Sequence, residues 1–235
     1  MNRVYQALKA DLSFQMKQGF YAIYLVISVM YIVVLYCFPM DLRKIIAPLC
    51  AYSDPAIVGM LFTGAQLMLE KNQGVLSYIA VTPLAPREYI GAKVLSFGIF
   101  GSVMALLLAI ATIGFNFNLF YYLAGIVLTS AMFTSIGVMV GVKSRSMNEL
   151  IVKLIPLMII MTLPCLGIIG FKYSPILEIF PSLPALEVVF AAFNGLAPLK
   201  VIMYLLYVLL WDIFLFKKAV ASFDGYLVMK GGNAG

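Results

Sequence analysis

Gly59 and Gly64 have the spacing of the two glycines in a phosphate-binding loop. Ala65-Gln66 follow, however, where that loop needs a lysine for the phosphates and a hydroxyl for the metal. Gly141-Val142-Lys143-Ser144 inserts a valine between glycine and lysine, so neither stretch can cradle a nucleotide. The chain has no histidine, which removes imidazole proton transfer, Ser-His dyads, HExxH zinc sites and histidine-ligated haem. Cys37, Cys50 and Cys165 lie in apolar stretches without CxxC spacing and read as small packing groups. The carboxylates are dispersed. Asp54, Glu178 and Glu187 fall towards one end of the apolar runs, and Glu70, Glu88, Glu149 and Asp212 towards the other. They make no cluster of the kind a metal-assisted membrane transferase needs, and read instead as helix-end or interface groups. Asp212, beside Trp211 inside an apolar run, could pair with Lys217 or Lys218 near the headgroups, or with Lys153 as glue between helices. The expectation is a chain with no catalytic residue, no metal and no cofactor of its own.

One segment has a different character. Residues 70–89, from Glu70-Lys71 to Glu88-Tyr89, are amphipathic and edged with charge, and they sit between two long apolar runs. In an oily protein such a piece must lie at or outside the membrane face, where it can meet a soluble partner.

The elements that position it follow from hydropathy. Of the 235 residues 63% are hydrophobic and 11% charged. An ordinary soluble domain carries about 25% charge, so this is an integral membrane protein. Its length suits about six helical spans of roughly 20 residues with short connections. The predicted fold is therefore a single all-α transmembrane domain over residues 1–235. Span one is expected from Phe20 to Phe38. In span two Asp54-Pro55 reads as a capped helix start, and the run goes on to Leu69; residues 45–52 enter the membrane before it, with breaks at Pro48 and Pro55. Residues 94–142 contain no charge and form a hairpin about Gly114, giving span three to Ile113 and span four from Leu119. Span five is expected from Leu150 to Ile169, kinked at Pro156 and Pro164, and span six from Pro198 to Phe216.

Placing the N-terminus in the cytoplasm puts twelve of the sixteen basic residues inside and leaves Arg43, Lys44, Lys172 and Lys200 outside. The positive-inside rule thus favours both termini in the cytoplasm, in a multi-pass cell-membrane protein. The net charge of +6 is accounted for by this asymmetry rather than by nucleic-acid binding. Span one serves as an uncleaved insertion signal. Ahead of it, residues 1–18 place Val4, Tyr5, Leu8, Leu12 and Met16 on one helical face and Gln6, Lys9, Ser13 and Lys17 on the other, the pattern of a helix lying in the lipid interface. Gly137 and Gly141 form a GxxxG pair on span four, and Gly98, Gly101 and Ser102 a second small patch; they serve packing within the chain or dimerisation.

This topology, with Glu70-Lys71-x-x-Gly74-Val75-Leu76 leading to Val81-Thr82-Pro83-Leu84, resembles the membrane subunit of ABC-2-type ATP-driven exporters, a bacterial inner-membrane arrangement. Phe180-Pro181-Ser182-Leu183-Pro184-Ala185-Leu186-Glu187 and then Gly195 are similar to that family's proline-started outer segment. The resemblance implies that residues 71–85 form a coupling helix docking on a separate ATPase, with Glu70, Lys71, Gly74, Val75, Leu76, Ile79, Thr82 and Pro83 as coupling residues. It implies two ATPase subunits, which hold the ATP and Mg, and a second permease, identical or paralogous. Residues 171–199 would be short re-entrant helices, with Glu178 and Glu187 near the exit. Thr63, Gln66, Met68, Met158, Met161 and Thr162 would line the path, a mixed and mostly apolar surface suited to a drug, antimicrobial peptide or lipid. The alternatives are an ion-coupled secondary transporter, for which no internal repeat is visible, and a membrane enzyme, for which no compact polar constellation is visible in the sequence.

Overall fold

The computed structural model describes residues 2–163, 165 and 179–231. Among them the chain forms nine α-helices and no strand: α1 (Asn2–Lys17), α2 (Phe20–Tyr36), α3 (Met40–Asn72), α4 (Val75–Val81), α5 (Pro86–Thr112), α6 (Leu119–Lys143), α7 (Met147–Thr162), α8 (Ser182–Asn194) and α9 (Pro198–Gly231). With no water in a bilayer to satisfy backbone polar groups, an apolar chain of this kind keeps them paired within helices.

Four helices are long and apolar enough to cross a membrane: α3, α5, α6 and α9. The pair α1 and α2, bent by 67° at their junction, makes up to five. Six were expected. The predicted fifth span, residues 150–169, is described as the sixteen-residue α7, and its remainder falls largely outside the described residues.

Helix α6 is the hub and packs against α3, α5, α8 and α9. Its approach to α3 is made possible by glycine. A methyl group added at Gly137 would lie 2.5 Å from the Met60 carbonyl oxygen, and one at Gly141 would lie 3.2 Å from the Gly64 Cα. The GxxxG pair therefore serves packing within this chain, as small residues do where helix backbones touch. At Gly98 a methyl group would meet nothing within 4 Å.

Three expectations change. Helix α3 starts at Met40, not at Asp54, and runs unbroken through Pro48 and Pro55. Asp54 is buried within it rather than capping it. A proline removes one hydrogen bond from the ladder, and in a membrane helix that loss is absorbed by neighbours, so the local start signal is overridden. Helix α9 continues to Gly231, fifteen residues beyond the predicted end at Phe216. Ala219 and Phe223 on this extension are fully buried, and the Phe223 ring stacks on Tyr89 with centroids 4.7 Å apart. Lastly, α1 does not present only its oily face and its basic face. Tyr5 and Met16 are exposed, while the flank carrying Asp11 and Gln15 is buried, with α1 packed on α5.

Of the outer segment expected at 171–199, residues 171–178 lie outside the described residues. The described part is α8, buried along nearly its whole length against α6, α9 and α3. The Asn118 amide donates to the Ala192 carbonyl at 2.8 Å, fastening the turn between α5 and α6 to the end of α8.

Candidate functional site

The segment after Glu70 is an elbow. The Gln73 amide donates to the Leu69 carbonyl at 2.9 Å and the Gly74 amide to the Lys71 carbonyl at 3.1 Å, closing α3. Gly74 then adopts φ +74°, a left-handed conformation that costs a residue with a Cβ about 1 kcal/mol. Seven residues of α4 follow, not the fifteen of 71–85: Lys71 and Asn72 belong to α3, and residues 82–85 are a non-helical link. Thr82 Oγ1 donates to the Ile79 carbonyl at 2.9 Å at the end of α4. Arg3 of α1 donates to the Pro83 carbonyl at 3.0 Å. The Ala85 amide donates to Glu88 Oε2 at 2.9 Å where α5 begins at Pro86.

The apolar stripe of α4 turns inward. Leu76 is fully buried and Ile79 partly so, in a cluster with Leu67, Tyr89, Ile90, Val138, Ala219 and Phe223. Val75 is half-buried. Outward stand Ser77, Thr82, Pro83 and Tyr78, the last 73% exposed. The stripe is thus taken up by the chain itself, in part by the extension of α9 that hydropathy alone did not reveal. Lys71 is also held. Its Nζ donates to the carbonyls of Gly141 (3.1 Å), Val142 (2.6 Å) and Ser144 (2.9 Å), covering the C-terminus of α6, and lies 4.7 Å above the Tyr226 ring. A cation there also complements the helix dipole.

Behind the elbow lies a buried ionic cluster that the sequence did not disclose. Lys93 of α5 is completely buried, and its Nζ contacts Asp11 Oδ1 of α1 at 2.8 Å and Glu70 Oε1 of α3 at 2.7 Å. Glu70 also accepts from the Tyr89 hydroxyl and from Gln66 Nε2 at 3.0 Å. Asp11 accepts from the Ser96 hydroxyl, from Gln15 Nε2 at 2.9 Å and from Gln66 Nε2. Gln15 Nε2 is also 3.0 Å from Ser96 Oγ. Two carboxylates share one ammonium, and neutral donors satisfy much of what is left over. Removing water makes each of these contacts stronger and makes any unpaired member costly. A cleft of about 220 Å³ between α1, α4 and α5 reaches the cluster, with Asp11 and Glu70 in its lining beside Val75 and Ile79. The cluster ties three helices together at the base of the hinged α4.

Glu70, Lys71, Gly74, Val75, Leu76, Ile79, Thr82 and Pro83 are therefore gathered in one assembly, with Leu76 inside it. The other predicted set is not gathered around an opening. Thr63, Gln66 and Met68 are buried in the packed interior, with Gln66 in the ionic cluster and Met68 in the main apolar core. Met158 and Met161 pack on that core from α7, and the Thr162 hydroxyl donates to the Met158 carbonyl at 2.8 Å. Glu187 is half-buried on α8, and Glu178 lies outside the described residues. Asp212 pairs with none of Lys153, Lys217 and Lys218, and both its oxygens lack a hydrogen-bond partner.

Asp11, Gln15, Tyr89, Lys93 and Ser96 are the residues that sequence reasoning missed. A signal was present. Asp11 and Gln15, Gln66 and Glu70, and Tyr89 and Lys93 are each four apart, with Ser96 three further on. Polar pairs at that spacing share one helix face, and three such faces in an apolar chain need one another.

Apolar helices of membrane-crossing length, bound by a buried ionic tie, define a multi-pass membrane protein. Residues 2–231 match the Fluoroquinolones export permease protein family, and the chain belongs to it. Two proteins carrying the name Fluoroquinolones export permease protein, from Mycobacterium tuberculosis strains CDC 1551 / Oshkosh and ATCC 25618 / H37Rv, are each 28% identical to it over 235 residues. Each alignment covers 99% of this chain and 99% of the relative. The protein is a membrane export permease.

Proposed function

We propose that this chain is the permease half of an ATP-driven exporter of the ABC-2 type, working with two separate ATPase subunits and a second permease, identical or paralogous. ATP and Mg are held by the ATPases. The permease crosses the membrane six times, α2 and α7 supplying the two crossings beyond the four long helices, and both termini face the cytoplasm. Its cargo is an amphiphilic, aromatic drug of the fluoroquinolone kind, since the relatives carry that name along their whole length.

The observation that carries this reading is the elbow at Gly74 with α4 locked on one face and open on the other. A push on Tyr78, Ser77 and Thr82 from a soluble partner moves α4 as a unit about Gly74. Glu70, one turn back, passes the displacement through Lys93 to α5 and through Asp11 to α1. The buried charges also invite a reading as an ion-coupled carrier. That reading is weaker, because Lys93 and the surrounding amides and hydroxyls already occupy the carboxylate oxygens that an ion would need.

The test is a pair of substitutions on α4, made in a host that also expresses the neighbouring ATPase. Tyr78→Glu is expected to leave the yield unchanged and the stability within about 0.5 kcal/mol of the native protein, while the co-purified ATPase and the drug efflux fall several-fold. Leu76→Glu is expected to lower the yield of folded protein itself, because it places a carboxylate in the cluster with Tyr89 and Phe223. If no ATPase accompanies the native chain through purification, or if Tyr78→Glu leaves capture and efflux untouched, the coupling role is lost.

A further inference from the structure

Asp212 lies in the middle of α9, 7% exposed, and neither carboxylate oxygen has a hydrogen-bond partner. An unpaired buried carboxylate is costly and, at membrane depth, is a functional group by default. It does not face packed protein. It lines a groove of about 550 Å³ between α5, α6 and α9 whose walls are Val94, Ala131, Ile213, Phe216 and Val220. Ser135 of α6 also lines it, and Arg87, Lys217 and Asp224 complete the charged part of the lining. Neither Arg87 nor Lys217 forms an ion pair with Asp212.

We propose that this groove binds an amphiphile carrying one protonated amine, with the amine on Asp212 and the apolar body against Val94, Phe216 and Val220. Charge decides the occupant. An acyl chain would satisfy the walls and leave the carboxylate bare, and an anionic headgroup would pair with Arg87 or Lys217 and leave it bare too. An amine-bearing phospholipid fits poorly as well. Asp212 lies five residues, about 7.5 Å, before Lys217 along α9, inside the apolar run that ends at Phe216, whereas the amine of such a lipid is its outermost part. A free amphiphile can take its amine below the headgroups, and the low dielectric there strengthens the contact. Only 22% of the residues in the apolar stretch of α9 are buried within the chain, which leaves the outer face of this helix uncovered by the other helices. This names a substrate class for the exporter proposed above and rests on that reading for its purpose, although not for its binding.

The full chain in phosphatidylcholine nanodiscs is exposed to a diazirine-bearing dodecylamine or to the matching alcohol, photolysed and mapped by peptide mass spectrometry. The amine is expected to label peptides around Val94 and Phe216 about tenfold or more above the alcohol, the ratio given by a hydrogen bond to a charged group. Asp212→Asn should bring the amine down to the alcohol's level, and Asp212→Glu should retain most of the labelling. Val94→Trp, which fills the groove with Asp212 intact, should abolish it, and this variant keeps the test decisive if Asp212→Asn folds poorly. Equal labelling by amine and alcohol overturns the proposal. So does labelling indifferent to Asp212→Asn, loss of labelling to phosphatidylethanolamine added to the nanodisc, or cross-links in the groove to a second copy of the chain. Labelling needs no ATP, so the two readings fail separately. Asp212-dependent labelling without ATP-driven export would sink the coupling reading alone, and ATP-driven export of the amine indifferent to Asp212→Asn would sink this site alone.

Discussion

Lys93→Met is expected to be the most damaging single substitution in the chain. The methionine fills the same volume and removes the only cation from between Asp11 and Glu70. Breaking a buried pair by deleting one partner costs about 3–5 kcal/mol, because the surviving charge stays buried without compensation. Here two carboxylates survive. A folded domain has a margin of about 5–15 kcal/mol, so the variant should show a much lower melting temperature in detergent and a small monodisperse fraction on size exclusion. Lys93→Arg should recover only part of the loss, since a planar fork does not reproduce a compact ammonium 2.8 and 2.7 Å from two oxygens. The informative variant is the triple one, Lys93→Met with Asp11→Asn and Glu70→Gln. Neutralising all three members should return most of the stability, as replacing a whole buried ionic group by neutral residues often does. If the cluster also transmits motion, the triple variant should fold well and export poorly. A Lys93→Met protein that melts with the native one would show that the ionic tie contributes nothing.

That cluster marks the limit of what the sequence could disclose. Glu70-Lys71-x-x-Gly74 was legible as a junction because ending a helix is local chemistry. A left-handed glycine after the last turn and a threonine-proline stop after the next few residues need no distant partner. Asp11 and Lys93 are 82 positions apart. Counted one by one, Lys93 was simply a charge at the end of a span. Only the shared i,i+4 spacing on three helices pointed to a common interior, and that signal is visible in pairs of residues rather than in hydropathy. The length of α9 was missed for a related reason. Hydropathy falls at Lys217-Lys218, but Leu215, Ala219 and Phe223 carry the buried stripe onward at intervals of four. The Asp54-Pro55 start signal failed in the opposite sense. It is a sound local cue, yet inside a bilayer an interrupted backbone costs more than one missing hydrogen bond, so the helix runs through it.

The two small-residue patches, both read from sequence as packing surfaces, are expected to respond to alanine with opposite signs. At Gly137 the new methyl group would stand 2.5 Å from the Met60 carbonyl oxygen and 3.1 Å from the Met60 Cα. Both obstacles are backbone, so no rotamer change relieves them, and α3 and α6 must separate. Overpacking of this kind costs about 1–3 kcal/mol, and a valine would cost more. The damage should also spread, because the same two helices are joined further along by Lys71 holding the end of α6. At Gly98 a methyl group meets nothing within 4 Å, and the residue lies inside α5, where alanine is favoured over glycine by about 0.5–1 kcal/mol. Gly98→Ala should therefore raise the melting temperature slightly while Gly137→Ala lowers it clearly, both read on the same detergent-purified protein. Because the two substitutions are chemically identical, helix propensity cannot produce a difference in sign. A Gly137→Ala protein as stable as Gly98→Ala would mean that α3 and α6 do not meet backbone to backbone, and the frame that places Glu70 against Lys93 would have to be redrawn.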